Sequence, residues 1–172
     1  MKIVSSTLKR AVGPALVAGV LVASAATPAA AQTPGSTAFR LFGSLAVLQA
    51  QPGVNNTVTA TVSGPHLYLT DTHGIAVGPG CTRLSPNTAD CGPATSLAVQ
   101  LGDGNDYFDG SMAPVNTTVD AGTGMDRVIT GNGNDTIGVQ DHVADDMVNC
   151  GGGTDTVFRD PGDMITACER VF

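Results

Sequence analysis

The sequence has no tryptophan, few aromatic residues, a single glutamate (Glu169) and, after residue 31, no lysine. Glutamate and lysine are favoured in helices, whereas aspartate belongs to turns and caps, so an acidity of fourteen Asp and one Glu is loop acidity. Five arginines (Arg40, Arg83, Arg127, Arg159, Arg170) face fifteen acids beyond residue 31, a net charge of 5 - 15 = -10. That balance argues against a basic surface for nucleic acid or anionic lipid. There is no His-Glu-x-x-His and no Gly-x-Ser-x-Gly, which removes the usual signatures of a zinc protease and of an α/β-hydrolase. No Cys-x-x-Cys pair is present, and His66, His73 and His142 stand at no ligand spacing from a cysteine, which argues against a structural zinc.

Lys2, Lys9 and Arg10, then a mostly apolar run from Ala11 to Ala26, then Ala29-Ala30-Ala31 follow the order of a secretory leader. A cut after Ala31 starts the mature chain at Gln32, and no later segment is apolar enough to span a bilayer. The destination read from this is extracellular. Four cysteines in an exported chain predict two disulfides, Cys81 with Cys91 and Cys150 with Cys168.

Glycine is plentiful, at 22 residues, and much of it is ordered. Leu101–Phe108 (LGDGNDYF), Ala121–Val128 (AGTGMDRV), Thr130–Ile137 (TGNGNDTI) and Cys150–Val157 (CGGGTDTV) all read x-G-x-G-x-D-x-U, where U is apolar. Two glycines one residue apart permit left-handed backbone and let carbonyls turn inward with no Cβ in the way. The aspartate closing each turn adds a carboxylate, and Ca²⁺ takes six to eight oxygens. The apolar anchors Phe108, Val119, Val128, Ile137, Val148, Val157 and Ile165 would point into the stack. Successive turns then alternate between two edges. One edge ends at Asp106, Asp126, Asp146 and Asp163, the other at Thr117, Asp135 and Asp155. If one full coil takes about 18 residues, Cys150 and Cys168 fall at matching positions of adjacent rungs, within reach of a disulfide.

The pattern resembles the nonapeptide repeat G-G-x-G-x-D-x-U-x of RTX (hemolysin-type) proteins. The tail, CGGGTDTV followed by CERV, is similar to that of small secreted bacterial calcium-binding proteins of this type. The resemblance implies an all-β fold, a right-handed parallel β-roll or β-solenoid, with Ca²⁺ as cofactor. The implied organisation is a leader over 1–31, an irregular β N-terminal cap over 32–100 with a Cys81–Cys91 loop, and a calcium-binding roll over 101–172. The implied ligand turns stack Asp106 over Asp126 and Asp135 over Asp155. Their metal residues are Gly102, Asp103, Gly104 and Asp106 with Gly122, Gly124 and Asp126, then Gly131, Asn132, Gly133 and Asp135 with Gly151, Gly153 and Asp155. Two sites are expected, and a third would fall near Asp126 and Asp146. The sequence departs from the repeat at its first position, where Leu101, Ala121, Thr130 and Cys150 replace glycine.

From Phe39 to Leu101 the repeat is absent, but alternating runs such as TVTATV, punctuated by Pro52-Gly53, Gly64-Pro65, Gly78-Pro79 and Gly92-Pro93, predict short strands and turns. His66 and His73 flank Asp71, with Ser63 nearby, which permits a hydrolytic triad on paper; the expectation is nonetheless that the chain is not an enzyme. Asn55, Asn116 and Asn134 open glycosylation sequons. The competing reading is a metal-free adhesin or surface protein that presents Thr and Asn ladders to a glycan or another chain.

Overall fold

The computed structural model describes residues 33–172, so the expected leader and its cleavage point lie outside the described residues. Sixteen strands and no helix are found there. The N-terminal half contributes β1 (Ser36–Leu41), β2 (Leu45–Ala50), β3 (Thr57–Ser63), β4 (His66–Asp71), β5 (Ile75–Val77), β6 (Thr82–Ser85), β7 (Thr88–Asp90) and β8 (Ser96–Gln100). The repeats contribute β9 (Tyr107–Met112), β10 (Asn116–Asp120), β11 (Arg127–Ile129), β12 (Thr136–Gly138), β13 (Met147–Asn149), β14 (Thr156–Phe158), β15 (Met164–Thr166) and β16 (Arg170–Val171). Valine, isoleucine and threonine are frequent in them, as expected of strands with one buried face.

Two eight-stranded sheets result, in the orders β16-β14-β12-β10-β8-β2-β1-β5 and β15-β13-β11-β9-β3-β4-β7-β6. From β8 onward the chain alternates between them, and every strand pairs in parallel with the strand two elements on. Phe108 stands beside Val128, Val128 beside Val148, and Val148 beside Ile165. In the other sheet Val119 stands beside Ile137 and Ile137 beside Val157. Before β8 the pairing is mixed. β1 and β2 are antiparallel, as are β3 and β4, while β2 joins β8 and β3 joins β9 in parallel. The first repeat strands are therefore continuous with two N-terminal hairpins.

The core is one cluster of inward side chains contributed by both sheets. Phe108, Leu48, Leu67, Leu69, Ile75, Leu97, Leu101 and Ile137 are fully buried, and Val128 and Val157 with them. One aliphatic per short strand is enough because the neighbouring rungs cover it from above and below. The first position of each repeat belongs to this core as well: Leu101, Ala121, Thr130 and Cys150 are all buried. That is the physical reason glycine is replaced there, since a buried side chain adds apolar contact where a bare Cα would leave a gap.

Both expected disulfides are formed, Cys81–Cys91 with Cα atoms 4.1 Å apart and Cys150–Cys168 with Cα atoms 5.2 Å apart. The second ties the turn after β13 to the segment entering β16 and so holds the final rung. Disulfides persist in oxidising surroundings, and these two are compatible with an extracellular location. Among the described residues no helix is long and apolar enough to cross a membrane.

This packing predicts that Ile137→Ala lowers unfolding free energy by about 2–5 kcal/mol, the usual cost of emptying a buried aliphatic site. Thr136→Ala, on the exposed side of the same strand, should change it by less than about 0.5 kcal/mol. Chemical denaturation of the two variants checks both values.

Candidate metal centre

The glycine-rich turns stack in the two pairs that their sequences predict. Asp103 bridges Thr123 and Asn132 bridges Gly152, each in parallel. In the first pair Thr123 donates its N–H to Gly102 O at 2.8 Å, and Gly104 donates to Thr123 O at 2.9 Å. In the second, Gly152 donates to Gly131 O at 3.0 Å and Gly133 to Gly152 O at 3.0 Å. Left-handed backbone is used at Gly122 (φ 91°), Gly124 (φ 135°) and Gly153 (φ 143°). A Cβ at Gly122 or Gly124 would lie 1.7 Å from the carbonyl oxygen of Gly102 or Gly104, and one at Gly153 would lie 1.6 Å from Gly133 O. Carbonyl oxygens of one turn thus press on the bare Cα atoms of the next, which is why only glycine fits.

The closing aspartates form a ladder at each edge. Asp106 N–H donates to Asp126 Oδ1 at 2.8 Å, Asp126 N–H to Asp146 Oδ1 at 2.7 Å, and Asp146 N–H to Asp163 Oδ1 at 3.3 Å. On the other edge Thr117 N–H donates to Asp135 Oδ1 at 2.7 Å, Asp135 N–H to Asp155 Oδ1 at 2.8 Å, and Asp155 N–H to Glu169 Oε2 at 2.7 Å. A second ladder of amides runs beside each. Asn105 N–H donates to Asn55 Oδ1 and Met125 N–H to Asn105 Oδ1, both at 3.0 Å. Asn134 N–H donates to Asn116 Oδ1 at 2.9 Å and Thr154 N–H to Asn134 Oδ1 at 3.0 Å. The two ladders point opposite ways along the stack. All three sequon asparagines, Asn55, Asn116 and Asn134, occupy these rungs, so their Asn-rich context has a structural cause.

Carboxylates layered in this way repel one another unless a cation separates them. A backbone amide from the neighbouring turn already takes one oxygen of each carboxylate. The other oxygen is the unresolved part. Oδ2 of Asp106, Asp135 and Asp155 is buried with no hydrogen-bond partner. Burial drives the Asp106 carboxyl up to about 6, with the Asn56 amide opposing and Asp103 and Asp71 adding to the rise. Burial likewise lifts Asp126 to about 7, opposed by the Asp106 amide and reinforced by Asp106, Asp146 and Asp141. Asp146 rises to about 6 and Asp135 also rises, burial leading in both.

Among the described residues no three His, Cys, Asp or Glu side chains converge as a metal-holding group. Any cation here would therefore be held by mixed oxygen donors, glycine carbonyls and single carboxylate oxygens. The donor set contains no nitrogen or sulfur, which suits a hard cation and not zinc or copper. Two of the expected ligand side chains sit apart from the buried carboxylates. Asp103 is exposed and accepts Gly53 N–H at 2.7 Å through Oδ1. Asn132 is also exposed, with its side chain against Gly152. The histidines separate too: His66 Nδ1 lies 2.8 Å from Asp90, and His73 Nδ1 lies 4.0 Å from Asp71.

The raised carboxyls fix a pH dependence for the metal-free protein. Between the ordinary carboxyl range near 4 and the elevated values near 6 and 7, the folded chain binds protons that the unfolded chain has released, so stability falls as pH rises. In EGTA the melting temperature should be higher at pH 5 than at pH 7.5, and scanning calorimetry at the two values checks the sign. No family model matches the chain, and neither curated proteins nor solved structures yield a match.

Proposed function

We propose that residues 101–172 form a right-handed β-roll of the RTX type whose stacked turns bind Ca²⁺, and that the chain acts outside the cell as a calcium-stabilised module. The observation that carries this reading is the set of buried, unpartnered Oδ2 atoms on Asp106, Asp135 and Asp155, in turns packed carbonyl against glycine. A buried anionic oxygen without a donor costs stability, and a divalent ion beside it removes that cost. The second pair is the stronger of the two sites, because both of its aspartates, Asp135 and Asp155, have a free oxygen.

In the first pair Gly102, Gly104, Asp106, Gly122, Gly124 and Asp126 supply the oxygens, with Asp103 at the rim. In the second Gly131, Gly133, Asp135, Gly151, Gly153 and Asp155 do so, with Asn132 at the rim. The carbonyl and carboxylate oxygens of these stacked turns would hold the ion, which would supply the positive charge that the buried carboxylates lack. Extracellular calcium sites are commonly tuned to about 10⁻⁴ to 10⁻³ M, so such a site fills after export. No catalytic step is assigned to the chain.

A second reading, a metal-free adhesin, draws on one feature. Thr118, Thr136 and Thr156 stand in register on adjacent strands with their side chains outward, a flat hydroxyl row that a glycan could meet.

Calorimetric titration of the described chain with calcium should give saturable binding, and circular dichroism should show a melting transition that moves up on addition of calcium to the EGTA-treated protein. At a hundredfold the dissociation constant, each site adds about 2.7 kcal/mol. Asp155→Asn keeps an oxygen for the Asp135 amide but loses the charge, and should weaken one site by roughly tenfold or more. Saturable binding that is identical for Asp155→Asn and the parent would remove Asp155 as a ligand, and a parent chain that takes up no calcium would favour the metal-free reading.

A further inference from the structure

A buried polar cluster lies where the N-terminal hairpins meet the first repeat. The turn Gln51–Asn56 (QPGVNN) carries no Gly-x-Gly-x-Asp signature, yet it stacks on Leu101–Asp106 as one more turn of the same column. Gly53 N–H donates to Asp103 Oδ1 at 2.7 Å, Asn105 N–H to Asn55 Oδ1 at 3.0 Å, and Asn56 N–H to Asp106 Oδ1 at 2.6 Å. Tyr107 N–H reaches Asn56 O at 3.0 Å, which carries the stack into β9.

Beneath this turn four polar side chains are withdrawn from solvent: Ser36 at 0%, Asn56 at 1%, Asp71 at 0% and Asp106 at 3% exposure. Asn56 organises them. Its Nδ2 donates to Asp71 Oδ2 at 2.7 Å and to Gly35 O, the carbonyl preceding Ser36, at 3.1 Å, while its backbone holds Asp106. Asp71 Oδ1 accepts His73 N–H at 2.9 Å. These bonds use every donor of the Asn56 amide group and leave three buried oxygens with no partner: Ser36 Oγ, Asn56 Oδ1 and Asp106 Oδ2.

Charge is unbalanced at the same place. Among the described residues neither Asp71 nor Asp106 forms an ion pair with an arginine. His73 Nδ1 lies 4.0 Å from Asp71 Oδ1, with its side chain 45% exposed. Buried carboxylates lacking a counter-charge are costly. A water molecule could donate hydrogens to the free oxygens, but it would leave the charge uncompensated; a divalent cation answers both. Hydroxyl, amide and carboxylate oxygens are hard donors, and two carboxylates match a 2+ ion.

We propose that Ser36 Oγ, Asn56 Oδ1 and Asp106 Oδ2 are ligands of an additional calcium ion, with Asp71 as the second negative charge, which clamps the N-terminal hairpins onto the repeat stack. The inference rests on the reading that the chain binds calcium. It differs in drawing on Ser36, Asn56 and Asp71, which no Gly-x-Gly-x-Asp turn contains, with Asp106 the one ligand taken from a repeat turn. Asp106 is common to this pocket and to the first repeat pair, because its turn stacks on Gln51–Asn56 on one side and on Ala121–Asp126 on the other.

Ser36→Ala tests the pocket alone. Its hydroxyl makes no hydrogen bond, so the metal-free variant should melt at or slightly above the parent in EGTA, an unpartnered buried group having been removed. In saturating calcium it should melt below the parent, and calorimetry should show one binding event lost or weakened about tenfold. Asp135→Asn, on the opposite edge, should remove a different event. Ser36→Ala with the parent's stoichiometry and affinities, or with the same melting shift in EGTA and in calcium, overturns the pocket while leaving the repeat sites standing. A parent chain that takes up no calcium overturns both.

Discussion

An amide N–H in a tight turn has no strand beside it to bond, and in this fold the side chain of a neighbouring turn accepts it. Every rung of the stack makes two such turns, one per edge, and a buried amide left bare would cost about 1–3 kcal/mol. The Asp ladders Asp106–Asp126–Asp146–Asp163 and Asp135–Asp155–Glu169 answer part of that demand, the Asn ladders through Asn55–Asn105 and Asn116–Asn134 a further part, and carbonyls of the neighbouring turn take amides such as those of Thr123 and Gly152. Because the acceptor always belongs to an adjacent turn, no turn is satisfied alone. The three-residue strands between them follow from that, since their register is set at both ends and a single buried aliphatic then suffices.

Much of this was legible because the repeat writes one rung at a time. Phe108, Val119, Val128, Ile137, Val148 and Val157 could be placed in the core, and the turns sorted between edges, from spacing alone. So could the Cys150–Cys168 bridge. What escaped is instructive. Position one of the repeat, read as a departure from glycine, is a core position, visible only once Leu101, Ala121, Thr130 and Cys150 are seen to be buried. The Asn ladder hid behind a sequon: Asn-Asp-Thr and Asn-Thr-Thr look like modification signals, and only the cross-rung partner shows what the amide oxygen is for.

The N-terminal half was less legible for a different reason. Hairpins pair residues near in sequence, but β2 and β3 also pair with β8 and β9 across long intervening segments, and no local pattern records that. Nor does Gln51–Asn56 look like a turn of the stack, since its role depends on backbone amides that any sequence possesses. The polar residues it covers, Ser36 and Asp71, come from two further strands. Buried polar clusters assembled from four segments leave no trace in a linear reading.

Asparagine and aspartate divide the labour in these turns according to burial. An amide oxygen is enough to accept one N–H at the exposed rungs, where Asn105 and Asn134 sit. One position later the side chain points inward, and there the chain places Asp106, Asp126, Asp135, Asp146 and Asp155 despite the cost of burying charge. If accepting an amide were the only task, asparagine would do it without that cost, as it does next door. The carboxylate adds a second oxygen and a charge, and at Asp106, Asp135 and Asp155 that second oxygen is the one without a partner. Asn56 departs from this rule in the same inward place, and the reason is local: its NH₂ must donate to Asp71 and Gly35, which no carboxylate could do. The negative charge that Asn56 omits is supplied by Asp71 at 2.7 Å, so the pocket keeps the charge of a repeat turn while its sequence does not.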